Sequence, residues 1–353
     1  MSDVTVRHEP IAIVDTTNLP KAEWLDYRRT GLGGSDIAAV LGVSPFTTCR
    51  DLYYDKLNIV SAIDDDDNWV QKKIGHLLED LVAEIFHIKT GFRIYQIKKM
   101  FRHPNYPFML ADVDYFVELP DGRTAILEIK TTNYNATGKW WENGNKVVPL
   151  YYELQGRHYM AVMDVDVVYY CCLYGNNEEE VIIRRIERDA VRESEMIALE
   201  EHFWLNHVQA KVPPPYIEDG DLVLDSVKNH FGYANPEAPD ILLGENYADN
   251  VSQFLKLQEE KSKLDASAKA IDAKMKQLKG KIVDQMGVSC QASCAVNGVF
   301  YDISFSPSQK TGIDKDNLLK LKLWQPEIYD EYVTTTESRR FYVKERKEQK
   351  EAA

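Results

Sequence analysis

Hydrophobic and polar positions recur along the chain with two different periods. From Trp69 to Thr90, the residues Val70, Ile74, Leu77, Leu78, Leu81, Val82, Ile85 and Phe86 follow three- and four-residue steps. This spacing predicts an amphipathic helix, ended by Gly91. Stretches 92–101, 108–118 and 124–132 read as strands, and a Pro-Asp-Gly turn at 120–122 joins the last two. A helix is predicted from about Pro149 to Met163, then strands over "VVYYCCLYG" and "EEVIIRRIE", then a helix running to "KVPPPYIEDG". Upstream, "RRTGLGGSDIAAVLGVSPFTTCRDLYYDKLNI" reads as a glycine-rich turn followed by two helices. The first is short, capped near Ser35 or Asp36 and stopped at Gly42; the second is capped by Thr47 or Thr48. The resulting order of helix, three strands, helix, two strands, helix makes this an α/β (α+β) chain with helices flanking a sheet.

The triple proline and the acidic, glycine-containing stretch after it mark a boundary near residue 215. The expected organisation is one domain over 1–215, a linker over 216–245 and a C-terminal part over 246–353. In that last part Phe254, Leu257, Leu264, Ile271, Met275, Leu278, Ile282 and Met286 mark one long helix with a seam close to heptad spacing. A small strand-rich unit is expected after it, from "AVNGVFYDISFSP", "EIYDEYVTT" and "RRFYVK". The run "IDDDDN" at 63–68 is expected to be a solvated loop.

A length of 353 residues suits two modest domains, and 44% hydrophobic with 28% charged residues describes an ordinary globular protein. The net charge of -14 excludes a protein that binds polyanions through bulk charge. Contact with nucleic acid would have to come from bound cations and local basic clusters, of which 92–103 and 338–350 are the densest. A solvated edge strand and a solvated tail are the alternatives. No apolar run is long enough for a membrane span and the N-terminus lacks a secretion signal, so a cytoplasmic location in a bacterial host and no membrane partner are expected. Five cysteines without a Cys-x-x-Cys pair read as reduced structural thiols, an iron-sulfur cluster being the alternative.

The chemistry gathers at "LADVDYF" and "ILEIKTTN". A hairpin centred on Asp121 sets Asp114 opposite Glu128 and Asp112 opposite Lys130, all four on one face because side chains repeat every second residue. A decorated surface would suit the second pair. Two carboxylates facing each other across about 5 Å repel, unless a divalent cation lies between them. Glu79 falls at the edge of the apolar stripe of helix 69–90, one turn after Gly75. A glycine there permits close approach of helix to sheet, which would bring Glu79 near Asp114; the alternative is a solvated carboxylate like Glu84.

Asp114, thirteen residues and then Glu128-Ile129-Lys130 resembles the PD-(D/E)XK nuclease signature, and the element order is similar to that fold's core. With "WLDYRRTGLGGSDIAAVLGVSPF", "GHLLEDLVAE" and "YYELQGRHYMAV", residues 20–215 resemble the YqaJ-type viral recombinases, relatives of phage lambda exonuclease. The C-terminal part resembles the longer phage-type members. The resemblance implies Mg2+-dependent (or Mn2+-dependent) 5'-3' digestion of double-stranded DNA from its ends. It implies Asp114, Glu128 and the Ile129 carbonyl as metal ligands, Glu79 at a second metal, and Lys130 orienting or deprotonating the attacking water. Gln155, in the Tyr-x-x-Gln pattern begun by Tyr152, matches the motif that positions the site and the scissile strand, while Arg28 and Ser35 match the region receiving a terminal 5'-phosphate. The anion cradle is chemically reasonable: a serine, the Gly33-Gly34 amides and a helix N-terminus all favour negative charge. Trp140 and Trp141 in "GKWWENGNK" suit either stacking on terminal bases or core packing, with Lys139 beside them for phosphate.

The expected function is therefore a phage-type exonuclease that passes 3' overhangs to a single-strand annealing protein of the RecT or lambda beta type. Family likeness also implies a homo-oligomer, a trimeric ring being one form. An endonuclease on the same core and a catalytically silent DNA-binding recombination module are the competing readings.

Overall fold

The computed structural model describes residues 7–62, 69–218, 220–233, 235–307 and 312–334. The aspartate run at 63–68, the basic tail at 338–350 and the strand expected at "RRFYVK" lie outside the described residues. In chain order the elements begin β1 (Ile11–Asp15), α1 (Lys21–Arg29), β2 (Leu32–Gly33), a 3-10 turn at Gly34–Asp36, α2 (Ile37–Val40), α3 (Cys49–Lys56) and α4 (Trp69–Thr90). Next come β3 (Arg93–Tyr95), β4 (Lys99–Arg102), β5 (Met109–Ala111), β6 (Tyr115–Glu118), β7 (Thr124–Thr131), β8 (Trp141–Glu142) and β9 (Asn145–Lys146). Then follow α5 (Leu150–Met163), β10 (Val167–Leu173), β11 (Val181–Glu187), α6 (Ala190–Phe203) and α7 (Gly220–Phe231). The remainder is α8 (Ala248–Met286), β12 (Gln291–Val296), β13 (Val299–Ser304), α9 (Lys315–Trp324) and α10 (Pro326–Tyr332).

A five-stranded sheet in the order β11-β10-β7-β6-β3 organises the first unit, Met1–Tyr233. Only β7 and β10 run parallel in it, which requires a crossover, and α5 supplies one. The fold is a mixed α/β sheet flanked by helices, as expected of a PD-(D/E)XK core. On one face α4 packs Val82, Ala83, Ile85 and Phe86 against Tyr115, Val117, Leu127 and Cys171. On the other, Tyr159, Met160 and Val162 of α5 meet Phe116, Ile126, Val168 and Tyr170. Buried on both faces, β7 and β10 read as near-continuous apolar runs. The helix expected over 69–90 has those bounds, with Gly91 at φ +70° behind it. Thr48 caps α3 and accepts the Asp51 amide in a capping box.

Two expected strands prove to be split. The run 92–101 becomes β3 and β4, and 108–118 becomes β5 and β6, because the chain passes between sheets. Strands β4 and β5 belong to a second sheet of order β1-β4-β5-β2, whereas β3 and β6 belong to the first. A third strand, expected at "EIYDEYVTT", is instead the helix α10, with Pro326 in its first turn where a missing amide costs nothing.

The first unit extends past 215 because α7 is tied to it. Ser226 donates to Asp51 at 2.6 Å and accepts from Thr48 at 3.3 Å, at the cap of α3. The second unit, Ala234–Ala353, contains the 39-residue α8, the β12-β13 hairpin, α9 and α10, and among the described residues none of these three helices has a buried residue. Among the described residues no helix is long and apolar enough to cross a membrane. Cys49, Cys171 and Cys172 are buried free thiols, and burial pushes each up to about 12.

Candidate active site

The hairpin between β6 and β7 pairs Tyr115 with Leu127 and Glu118 with Thr124, the register anticipated from the turn at Asp121. Asp114 lies one residue beyond the last pair, so continuing the register sets it across from Glu128. Asp114 also accepts a hydrogen bond from the Ile129 amide at 2.9 Å, which fixes its carboxylate at the end of the ladder. Alternation turns Glu128 toward the α5 face, where it is 1% exposed. One of its oxygens, Oε1, accepts from Lys130 Nζ at 2.6 Å and from Gln155 Nε2. The other, Oε2, is buried with no hydrogen-bond partner among the described residues.

Gln155 completes the arrangement by accepting from Lys130 Nζ at 3.1 Å, so its amide spans acid and base. The Lys130 ammonium also stands 4.9 Å over the ring of Tyr152. Burial and the neighbouring Glu128 push Asp114 well above the usual carboxylate range, against the pull of Lys130 and the Ile129 amide. Glu128 is raised by burial, with Lys130 opposing. Burial works against the charge on Lys130, but Glu128 and Asp114 outweigh it and hold its pKa up.

Asp114, Glu128, Lys130 and Gln155 line a cleft of about 970 Å³ together with Glu79, His76, Asp112, Trp24, Arg28 and Ser35. Helix α4 covers the opposite face of the sheet, and Glu79 reaches the cleft from it, with Gly75 leaving room beside Thr131 Oγ1 at 3.4 Å from where a Cβ would stand. Glu79 is half-exposed and interacts with His76 Nδ1 at 3.3 Å. The pairing expected between Asp112 and Lys130 does not occur. Asp112 follows the end of β5, before the chain reaches β6, and accepts from Trp24 Nε1 at 2.8 Å.

Among the described residues no three His, Cys, Asp or Glu side chains form a ready-made metal cage. The donor set nonetheless fits a hard divalent cation. An unpartnered carboxylate oxygen in the interior is costly by several kcal/mol unless a cation or donor reaches it, and Glu128 Oε2 is such an atom beside the second acid, Asp114. Asp114, Glu128, the Ile129 carbonyl and Glu79 are the residues that would hold one.

In the same cleft, Arg28 donates to Ser35 Oγ at 2.8 Å and to Asp36 at 3.0 Å. Asp36 also accepts from Lys56 at 2.7 Å and the Gly33 amide at 2.9 Å, and these partners hold its carboxyl below the usual range despite burial. Arg28 is therefore braced rather than loose, and Ser35 stands exposed beside it. Gly34 lies so close to α5 that a Cβ would come within 2.7 Å of the Tyr159 ring and 2.9 Å of Gln155 Cγ. A DNA-facing role for Trp140 is corrected: its ring is 1% exposed, packed 6.0 Å from Tyr152, and could not reach a base without unpacking the core. Trp141, 42% exposed, is the solvent-facing member of the pair. Tyr152 is partly buried between Lys130 and Trp140, a platform for the lysine. Trp24 and Tyr159, which line the cleft, carry no local signal in the sequence, and Asp36, which holds Arg28, has one only in "GGSD".

The YqaJ-like viral recombinase domain model matches residues 23–166, which contain every site residue named above. Over 338 residues the chain is 30% identical to YqaJ of Bacillus subtilis (strain 168), covering 94% of this chain and 97% of that protein. Among solved structures it is similar to an alkaline exonuclease (LHK-Exo) from Laribacter hongkongensis, with TM-score 0.44, 20% identity and coverage of 59% of this chain and 99% of the other. A phage related exonuclease from Haemophilus somnus 129PT gives TM-score 0.37 and 13% identity, covering 53% and 99%. With a relative matched almost end to end and the family's domain spanning the cleft, the chain belongs to the YqaJ-like viral recombinase family.

Proposed function

We propose that the chain is a divalent-metal-dependent deoxyribonuclease that digests double-stranded DNA from its ends, 5' to 3', leaving 3' overhangs. The single observation that carries this reading is the buried, unpartnered Oε2 of Glu128 beside Asp114. A bound Mg2+ or Mn2+ would supply the Lewis acidity that activates water and offsets charge on the phosphate. Asp114, Glu128 and the Ile129 carbonyl would hold it, with Glu79 contributing from α4. Lys130 would orient the attacking water, or take its proton once a bound cation favours the neutral amine, and Gln155 hydrogen-bonds both Lys130 and Glu128 through one amide. Arg28 and Ser35, which line the same cleft, would receive a terminal 5'-phosphate. On this reading the products are substrates for a single-strand annealing protein of the RecT or lambda beta type, and the enzyme works as a homo-oligomer in the cytoplasm of a bacterial host.

The test is digestion of end-labelled linear duplex beside covalently closed circular duplex, with and without Mg2+. Loss of the linear substrate only, faster with a 5'-phosphate than a 5'-hydroxyl, is expected. Cleavage of the closed circle would make the protein an endonuclease, and wild-type rates in Glu128→Ala would remove the proposed mechanism.

A further inference from the structure

We propose that Phe46, Tyr151 and Lys139 form a stacking surface for an unpaired DNA strand, leading outward from the catalytic lysine. The surface rests on the nuclease reading for the source of that strand. Phe46 is 69% exposed, yet its loop is held. Buried Ser44 accepts from the Phe46 amide at 3.2 Å and the Thr47 amide at 3.3 Å, and the capped start of α3 follows at once. A ring kept in solvent on a fixed loop loses little freedom on binding.

Phe46 does not stand alone. Its ring meets Tyr151 edge to face, with centroids 5.7 Å apart and planes at 88°. Tyr151 in turn lies 4.4 Å from Tyr152, over whose ring Lys130 Nζ sits at 4.9 Å. Lys139 Nζ stands 5.8 Å over Tyr151, so a cation accompanies the rings where a backbone phosphate would run. The result is a continuous path of aromatic rings from solvent to the reactive centre. Every base offers a π-face to such a path when unpaired, whereas in a duplex those faces are covered by neighbouring base pairs. The surface therefore suits the strand released or retained by end resection rather than the duplex itself.

The experiment is fluorescence anisotropy of labelled oligothymidylate, about 20 nucleotides long, on the full chain in EDTA, where cleavage does not intervene. Wild type binds; Phe46→Ala and Tyr151→Ala each weaken binding about tenfold, and Phe46→Trp restores it. Lys139→Gln lowers the slope of log affinity against log salt by about 0.7, the mark of one lost phosphate contact on a single strand. Circular dichroism confirms folding, and the exposed Phe46 makes its truncation structurally mild. The surface is overturned if wild type fails to bind oligothymidylate, if both alanine variants bind like wild type, or if they weaken blunt duplex to the same extent. The same wild-type preparation is assayed on linear duplex with Mg2+. Inert protein that still binds through Phe46 defeats the nuclease reading alone, and active enzyme indifferent to Phe46→Ala defeats the stacking surface alone.

Discussion

At Glu128 one oxygen is held by Lys130 and Gln155 while the other, also buried, has no hydrogen-bond partner among the described residues. Lys130 balances one buried acid, but Asp114 is a second beside it and Oε2 has no donor, so the metal-free protein carries a local cost that a further cation relieves. In metal-free buffer Glu128→Gln should leave thermal stability unchanged or raise it, and the stabilisation that millimolar Mg2+ gives wild type should vanish in the variant. Scanning fluorimetry with and without Mg2+ reads both effects. Lys130→Ala should cut the digestion rate by about 10² to 10⁴, the range for a positioned acid-base group, measured under single turnover on linear duplex. Away from the cleft, buried His103 accepts the amides of Asn105 and Tyr106 on Nδ1 at 3.0 and 3.1 Å. Burial, then the nearby His8 and His158, push its pKa down to about 4. Because the folded pKa is depressed below the unfolded one, the unfolded chain takes up the proton first. Stability from this group is complete above pH about 6.5 and is lost as pH falls toward about 4, on the order of 2 to 3 kcal/mol. Urea titrations of wild type and His103→Asn should converge on going from about pH 7 to about pH 5; a gap that stays constant would show that His103 is not the titrating group.

Among the elements, α4 was legible residue for residue because a long apolar stripe and a left-handed Gly91 agree on its ends. The hairpin register was equally legible, since Pro-Asp-Gly fixes the turn and a one-residue slip would turn every buried side chain outward. What could not be read was which sheet each strand joins. Alternation continues through Asp112 and Asp114 without a break, while the backbone changes partners between Ala111 and Tyr115, so Asp112 meets Trp24 instead of Lys130. Trp140 and Trp141 look alike in sequence, but only the first joins the buried core cluster, where it packs near Tyr152. In "EIYDEYVTT" aromatic and β-branched content pointed to a strand, but Pro326 at the start and Ile328, Tyr329 and Tyr332 at helical spacing carry the segment into α10. The turn at Gly34–Asp36 offers a test at this scale. Gly34→Ala would press on Tyr159 and on Gln155, whose amide holds the acid-base pair. A stability loss of about 1 to 3 kcal/mol is expected, with kcat falling more than KM changes. A variant with wild-type kcat would show that the turn does not set Gln155.

For the molecule as a whole, the acidic composition is compatible with DNA processing because the cleft brings its own basic groups, Lys21, Lys73, Lys98 and Arg28 among them, around the buried acids. The second unit poses a different question. Along α8 the residues Leu257, Leu264, Ile271 and Leu278 repeat every seven positions and are 58% to 70% exposed, an apolar seam of the kind that pairs helices. Sedimentation should depend on concentration, and Leu264→Asp with Ile271→Asp should abolish that dependence; a wild-type monomer at every concentration would refute self-association through α8.

The claim on which the rest depends is that Glu128 and Asp114 form a divalent-cation site. Titration of metal-free protein with Mn2+, followed by electron paramagnetic resonance of the free ion, tests it without any substrate. Saturable binding in wild type that disappears in Glu128→Gln is the predicted result; equal binding by the two proteins, or none in wild type, would contradict it.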